Sequence, residues 1–206
     1  MNEKTAGSCY SLPPDLPRPE NDGAADHLVG AAVSPVSLPA TSGPDVDLGL
    51  VASGLLVVYV YPMTGTPGRD LPAGWDEIPG ARGCTVQNCA FRDHASELRE
   101  LGAVVYGVGA QPLAEQRAFV EREGMPYPLL NDSGFALASA LGLPTFSVDG
   151  MRHYKRLTLV ARDGRISHVA YPIFPPGSDA ELVLGWLRED PRTRTPAASP
   201  GPAGPS

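Results

Sequence analysis

Leu55-Leu56-Val57-Val58-Tyr59-Val60-Tyr61 is an unbroken run of aliphatic, β-branched and aromatic residues with no polar residue at alternate positions. Such a strand has no face to offer water, so it belongs in the middle of a sheet covered on both sides. Downstream, Gly83-Cys84-Thr85-Val86-Gln87-Asn88-Cys89-Ala90-Phe91-Arg92-Asp93 opens a helical pattern. Val86, Ala90, Phe91, Leu98 and Leu101 form its apolar stripe and Gly102 ends it, which predicts a helix from Cys84 to Leu101. A cysteine on the first turn of a helix that follows a strand sits where free backbone N–H groups and the helix dipole favour negative charge. Cys84 is therefore read as a nucleophile.

Working outward, Ala103 to Val108 is a second buried strand, and Glu115 to Glu123 a helix stopped by Gly124. Tyr127-Pro128-Leu129-Leu130 reads as a short edge strand because prolines flank its approach. Phe135 to Leu141 reads as a short helix closed by Gly142. Lys155 to Ala161 and Ile166 to Tyr171 flank Asp163-Gly164, a hairpin signal. Ser178-Asp179-Ala180-Glu181 has the form of a capping box opening a last helix, with Leu182, Leu184, Trp186 and Leu187 as its apolar contacts and Pro191 as its end. On the N-terminal side, Val36-Ser37-Leu38 and Val46-Asp47-Leu48 alternate around a Thr41-Ser42-Gly43-Pro44 turn, as a small hairpin does.

Strand–helix–strand units need parallel neighbours, while the late hairpin adds antiparallel strands. The expectation is an α/β thioredoxin-like fold, a mixed central sheet with helices on both faces, over residues 28–190. Residues 1–27, rich in Pro, Asn, Asp and Gly, read as a disordered arm in which Cys9 is a bystander, and 191–206 as a disordered tail. Between strand and cysteine helix runs a Pro- and Gly-rich connection from Pro62 to Gly83, which carries Trp75, Asp76 and Glu77. Loops of that length without structure of their own tend to be functional or mobile.

A net charge of −7 with scattered basic residues gives no footprint for nucleic acid. The apolar run from Leu48 to Tyr61 is shorter than the roughly 18 residues of a membrane span. No apolar segment follows the first residues, so the expected location is the cytoplasm. Three cysteines are too few for a disulfide framework, and a close pair in a reducing compartment points to catalysis or metal. A zinc site needs further ligands, and no second cysteine pair or paired histidine spacing supplies them, so neither metal nor cofactor is expected.

Tyr61-Pro62-Met63-Thr64-Gly65-Thr66-Pro67-Gly68, the Cys84-to-Asp93 segment, and Arg156 ahead of the Asp163-Gly164 turn together resemble the peroxiredoxins. Their Q-type, or bacterioferritin comigratory protein, branch carries two cysteines five apart on one helix. The resemblance spans Val36 to Glu189. It implies thiol-dependent reduction of hydrogen peroxide and organic hydroperoxides, with electrons returned by a thioredoxin-like donor, in a monomer or homodimer. By position it makes Cys84 peroxidatic, Cys89 resolving, and Arg156 the cation that holds thiolate and peroxide. Pro62 and Thr66 match the proline and threonine of the family's Pro-x-x-x-Thr-x-x-Cys signature, with one departure. Thr66 stands eighteen positions before Cys84 rather than three, as though Arg69 to Gly83 were inserted. Either the insert loops out and Thr66 keeps its place, or Pro79-Gly80-Ala81-Arg82-Gly83 replaces the site loop and a hydroxyl is missing or comes from Thr85.

Ionising a thiol raises its thiolate fraction but lowers its nucleophilicity, with a Brønsted slope of about 0.4–0.5. Most of a peroxidase's acceleration must therefore come from groups aligned with the breaking O–O bond, a task that suits Arg156. Five residues along a helix place Cα atoms about 8–9 Å apart and about 140° around the axis. A disulfide spans at most about 7 Å, so a Cys84–Cys89 bond requires the first turn to unwind. His94, His153 and His168 read as surface residues, Trp75 as loop packing or substrate wall, and Asp76-Glu77 as a solvated pair. Two other functions fit the same fold: a disulfide reductase or redox sensor, whose usual Cys-x-x-Cys spacing differs from this one, and a silent binding scaffold.

Overall fold

The computed structural model describes residues 12–192. Cys9, the start of the N-terminal arm and the tail from Thr193 lie outside the described residues. The elements are β1 (Ser37–Leu38), β2 (Val46–Asp47), α1 (Leu48–Val51), β3 (Leu55–Val60), α2 (Cys84–Asp93), α3 (Ala95–Glu100), β4 (Ala103–Gly109), α4 (Leu113–Glu123), β5 (Leu129–Asn131), α5 (Ala136–Leu141), β6 (Thr145–Val148), β7 (Met151–Tyr154), β8 (Leu157–Arg162), β9 (Arg165–Ala170) and α6 (Asp179–Glu189).

Five strands form the main sheet in the order β5-β4-β3-β8-β9. β3 is central, parallel to β4 and antiparallel to β8, and every one of its residues is buried. Alternate side chains go to opposite faces. Leu56, Val58 and Val60 join Leu137 and Leu141 of α5 in one core, while Val57 and Tyr59 join Phe91, Leu98, Phe119 and Leu184 from α2, α3, α4 and α6 in the other. Tyr59 needs space on the neighbouring strand, and its register partner there is Gly107, where a Cβ would lie 2.5 Å from the tyrosine ring. The mixed thioredoxin-like sheet with helices on both faces is thus present, and β5 is one of its two edge strands.

Several local expectations are corrected. The cysteine helix breaks at His94, whose backbone leaves the helical region, so α2 and α3 are separate. Ser178 does not cap α6: its hydroxyl donates to the Pro175 carbonyl (2.8 Å), because it closes a tight turn at Pro176–Ser178. Leu182 is exposed, and Ala180 and Val183 take the core positions beside Leu184 and Leu187. β6 and β7 pair as an additional small hairpin. Residues 12–27, assigned to a disordered arm, instead pack on the domain. Ala25 and Leu28 are buried, and Asp22 pairs with Lys155 (2.6 Å) and accepts from the Tyr171 hydroxyl (2.8 Å). Arg18 also lies over the Phe174 ring at 5.2 Å and His27 Nε2 bonds the Leu141 carbonyl (2.9 Å), anchors too scattered along the chain for composition to register.

Candidate active site

β3 delivers the chain to the site and stops there. Tyr61 still donates to Val108 O, but the next residue, buried Pro62, has no N–H to extend the ladder, and the chain turns away. It returns at Gly83, which holds φ at +97° and abuts Pro176 so closely that a Cβ would lie 2.3 Å from the proline ring. That left-handed residue lets α2 begin directly on Cys84.

Two donors converge on the Cys84 sulfur: the Met63 N–H at 3.4 Å and Arg156 Nη2 at 3.3 Å. The Ala81 carbonyl, at 3.4 Å, gives the thiol proton an acceptor. Cys84 is 3% exposed and lies at the base of a cavity of about 500 Å³ walled by Met63, Gly65, Trp75, Arg82 and Thr85 among others. Arg156, which precedes β8, is buried rather than an exposed strand residue. Its Nη1 donates to Gln87 Oε1, and Nη2 faces the carbonyls of Gly80 (3.3 Å), Ala81 (3.4 Å) and Arg82 (2.9 Å). The end of the long connection is therefore a carbonyl clamp on the guanidinium.

Thr66 lies on the wall of an adjoining cavity of about 720 Å³, with Gln111, Phe135 and His153; the two cavities share Met63 and Gly65, and Thr66 itself does not line the one around Cys84. Thr85 does line the Cys84 cavity and is half-buried. Cys89 is buried in the body of α2, its sulfur 3.8 Å from Glu123 Oε2 on α4. Cys84 and Cys89 are not joined in a disulfide. The first turn of α2 is braced from within: Asn88 Nδ2 donates to the Cys84 carbonyl (2.9 Å), and its Oδ1 accepts from the buried Tyr59 hydroxyl (2.9 Å).

The histidines divide. His153 is buried, not at the surface; its ring meets Trp75 edge-on at 5.0 Å and stacks on Phe146 at 5.5 Å, and burial pushes its pKa down. Trp75 is thus both packing and cavity wall. His168 stacks on Trp186 and His94 bonds Glu97 (2.7 Å), both half-buried. Asp76 pairs with Arg82 at 3.0 Å. Among the described residues no cluster of three or more histidine, cysteine or acidic side chains is arranged to hold a metal, and no helix is long and apolar enough to cross a membrane. Sequence reasoning missed Met63, Gln87 and the Gly80–Arg82 carbonyls. Backbone groups carry no side-chain signal, and the only pointer to Gln87 is its place one turn beyond Cys84.

Residues 28–184 match the model of the family described as Redoxin. The chain is 30% identical over 159 residues to Peroxiredoxin Bcp of Escherichia coli K12, covering 74% of this chain and 90% of that protein. It is 27% identical over 186 residues to the chloroplastic Peroxiredoxin Q of Suaeda salsa, covering 90% and 79%. Among solved structures, Peroxidoxin BcpB from Mycobacterium tuberculosis superposes with a TM-score of 0.64 at 29% identity, covering 78% of this chain and 96% of that one.

Proposed function

We propose, on the premise that this chain belongs to the redoxin family as one of its Q-type, or Bcp-like, peroxiredoxins, that Cys84 attacks the peroxide and Cys89 resolves the product. The protein is an enzyme, a thiol peroxidase. In this reading the Cys84 thiolate attacks the nearer oxygen of a hydroperoxide ROOH. The O–O bond breaks, the sulfur becomes a sulfenic acid, and the departing oxygen leaves with a proton as ROH. The Cys89 thiol then condenses with the sulfenic acid, forming a disulfide and releasing water. A thioredoxin-like dithiol restores both thiols, which suits a reducing compartment such as the cytoplasm. Hydrogen peroxide and small organic hydroperoxides fit a cavity of about 500 Å³.

The observation that supports this most is the Arg156 guanidinium 3.3 Å from a sulfur on the first turn of α2. Held by carbonyls, it needs no rearrangement to meet charge developing on the departing oxygen. Because α2 is continuous from Cys84 to Cys89, resolution requires its first turn to open in every cycle. Cys84→Ser is expected to abolish peroxide consumption, and Cys89→Ser to complete one turnover and stop with a sulfenic acid visible by mass spectrometry. Sustained turnover by Cys84→Ser would overturn the assignment. A protein that reduces insulin disulfides but consumes no peroxide would be a disulfide reductase instead.

A further inference from the structure

Behind the groups that touch Cys84 lies a fully buried carboxylate, Asp179, on the first turn of α6. Its Oδ2 accepts from Gln87 Nε2 at 2.6 Å and from Thr158 Oγ1 at 2.8 Å; among the described residues its Oδ1 has no partner. The other end of the Gln87 amide, Oε1, accepts from Arg156 Nη1. Asp179, Gln87, Arg156 and the Cys84 sulfur thus form one continuous line of hydrogen bonds through α6, α2 and the segment ahead of β8.

A buried amide has two ends of similar shape and opposite polarity, and its orientation is decided by its neighbours. A carboxylate only accepts, so it draws the Gln87 NH₂ toward itself and leaves the amide oxygen facing the guanidinium. The flipped amide would set NH₂ against guanidinium N–H and oxygen against carboxylate, mismatching both contacts inside a dry core. We propose that Asp179 is a positioning residue for the peroxidatic centre, which fixes the polarity of Gln87 and through it the aim of Arg156 at Cys84.

The cost of keeping a charge there is visible. Burial pushes the Asp179 carboxyl up to about 6, against the opposing pull of the Gln87 and Thr158 hydrogen bonds and the Arg156 charge. Arg156 is the charged group that acts on it. α2 presents Gln87, β8 presents Thr158, and the turn at Pro176–Ser178 brings no titratable side chain. Above that pH the carboxylate accepts only. Below it the added proton makes Asp179 a donor as well, so the carboxyl no longer selects the NH₂ end and only the Arg156 contact still orients the amide.

This inference rests on the peroxidase reading, so its test pairs a peroxide readout with one that needs no peroxidase activity. In full-length protein carrying Cys9→Ser and Cys89→Ser, the single-turnover rate with hydrogen peroxide and the rate of Cys84 alkylation by iodoacetamide are measured from pH 5 to 8. Asp179→Asn keeps the side-chain shape and removes the acceptor-only character. It is expected to slow the peroxide step about tenfold at pH 7.5 and to remove from both profiles a step near pH 6. Thr158→Val deletes one of the bonds that favour the charged carboxylate, so the same step should move to higher pH. Unchanged profiles in folded Asp179→Asn protein overturn the positioning role while leaving the peroxidase reading intact. If Asp179→Asn fails to fold by circular dichroism, Thr158→Val decides: a step that moves up supports the role, and one that stays overturns it. A protein inert to peroxide whose alkylation profile still shows the Asp179-dependent step would defeat the peroxidase reading alone.

Discussion

Arg156 combines two properties that a lysine cannot reproduce. Its planar fork directs Nη1 to Gln87 and sets the two N–H of Nη2 among three carbonyls and the sulfur, whereas an ammonium is a compact charge with three donors. Arg156→Lys is therefore expected to keep the fold and lose peroxide reduction by about 10²-fold, the scale of removing one aligned donor in other active sites; stopped-flow kinetics on the reduced protein measures it. Thr66 and Thr85 make the converse comparison. Thr66 lines the larger neighbouring cavity, and Thr85 lines the one around Cys84. Thr66→Val is expected to leave the first-turnover rate within roughly threefold, while Thr85→Val lowers it further, since only the second removes a hydroxyl from the reacting cavity. The reverse order of effects would restore Thr66 to the site.

At the scale of elements, α2 faces two demands. It must be formed so that the Cys84 sulfur meets the Met63 N–H and Arg156, and it must open so that Cys89 can reach Cys84. Asn88 sits at the balance point, because its side chain ties the Cys84 carbonyl to Tyr59 inside the core. Asn88→Ala deletes both bonds and leaves the buried Tyr59 hydroxyl with a 3.4 Å contact to the Tyr127 hydroxyl, a cost of about 1–3 kcal/mol. The expected signature is a lower unfolding midpoint together with faster disulfide formation after peroxide is added, because the turn that must melt is less firmly held. Fluorescence traces separate that second phase from the first; a slower resolution phase would mean that Asn88 guides the opening rather than resisting it. The break between α2 and α3 was not legible in the sequence. Leu98 continues the apolar stripe across it, and only the backbone at His94 shows the helix restarting.

For the whole molecule, stability and the site oppose one another. Asp179 binds its proton more tightly in the folded protein than an unfolded aspartate does, so its contribution is fully present below about pH 4 and lost as pH rises through about 6. The loss is on the order of 3 kcal/mol. His153 acts the other way: with its pKa lowered by burial, its contribution is present above the ordinary histidine range and lost as pH falls below it. Asp179→Asn is thus expected to gain stability over the parent protein with rising pH, the difference growing from pH 4 and levelling above 6, as urea unfolding would show. A flat difference would mean that the carboxylate carries no such cost. Much of this architecture was legible in the chain. The apolar run of β3, the Asp163-Gly164 turn and the cysteine at a helix start are patterns within a few residues, and local sterics and periodicity translate them directly into strand, hairpin and helix. The sequence by itself determined the mixed sheet and a thiol at a helix N-terminus, and resemblance to a known family marked Arg156. The tertiary structure decided the rest: that the connection ends as a clamp of carbonyls on Arg156, that Thr66 faces another cavity, that residues 12–27 pack down, and that Asp179 stands behind Gln87. Those contacts join positions 72 and 92 residues apart, or depend on backbone atoms common to every residue, and close packing of the core, not any local pattern, brings them together.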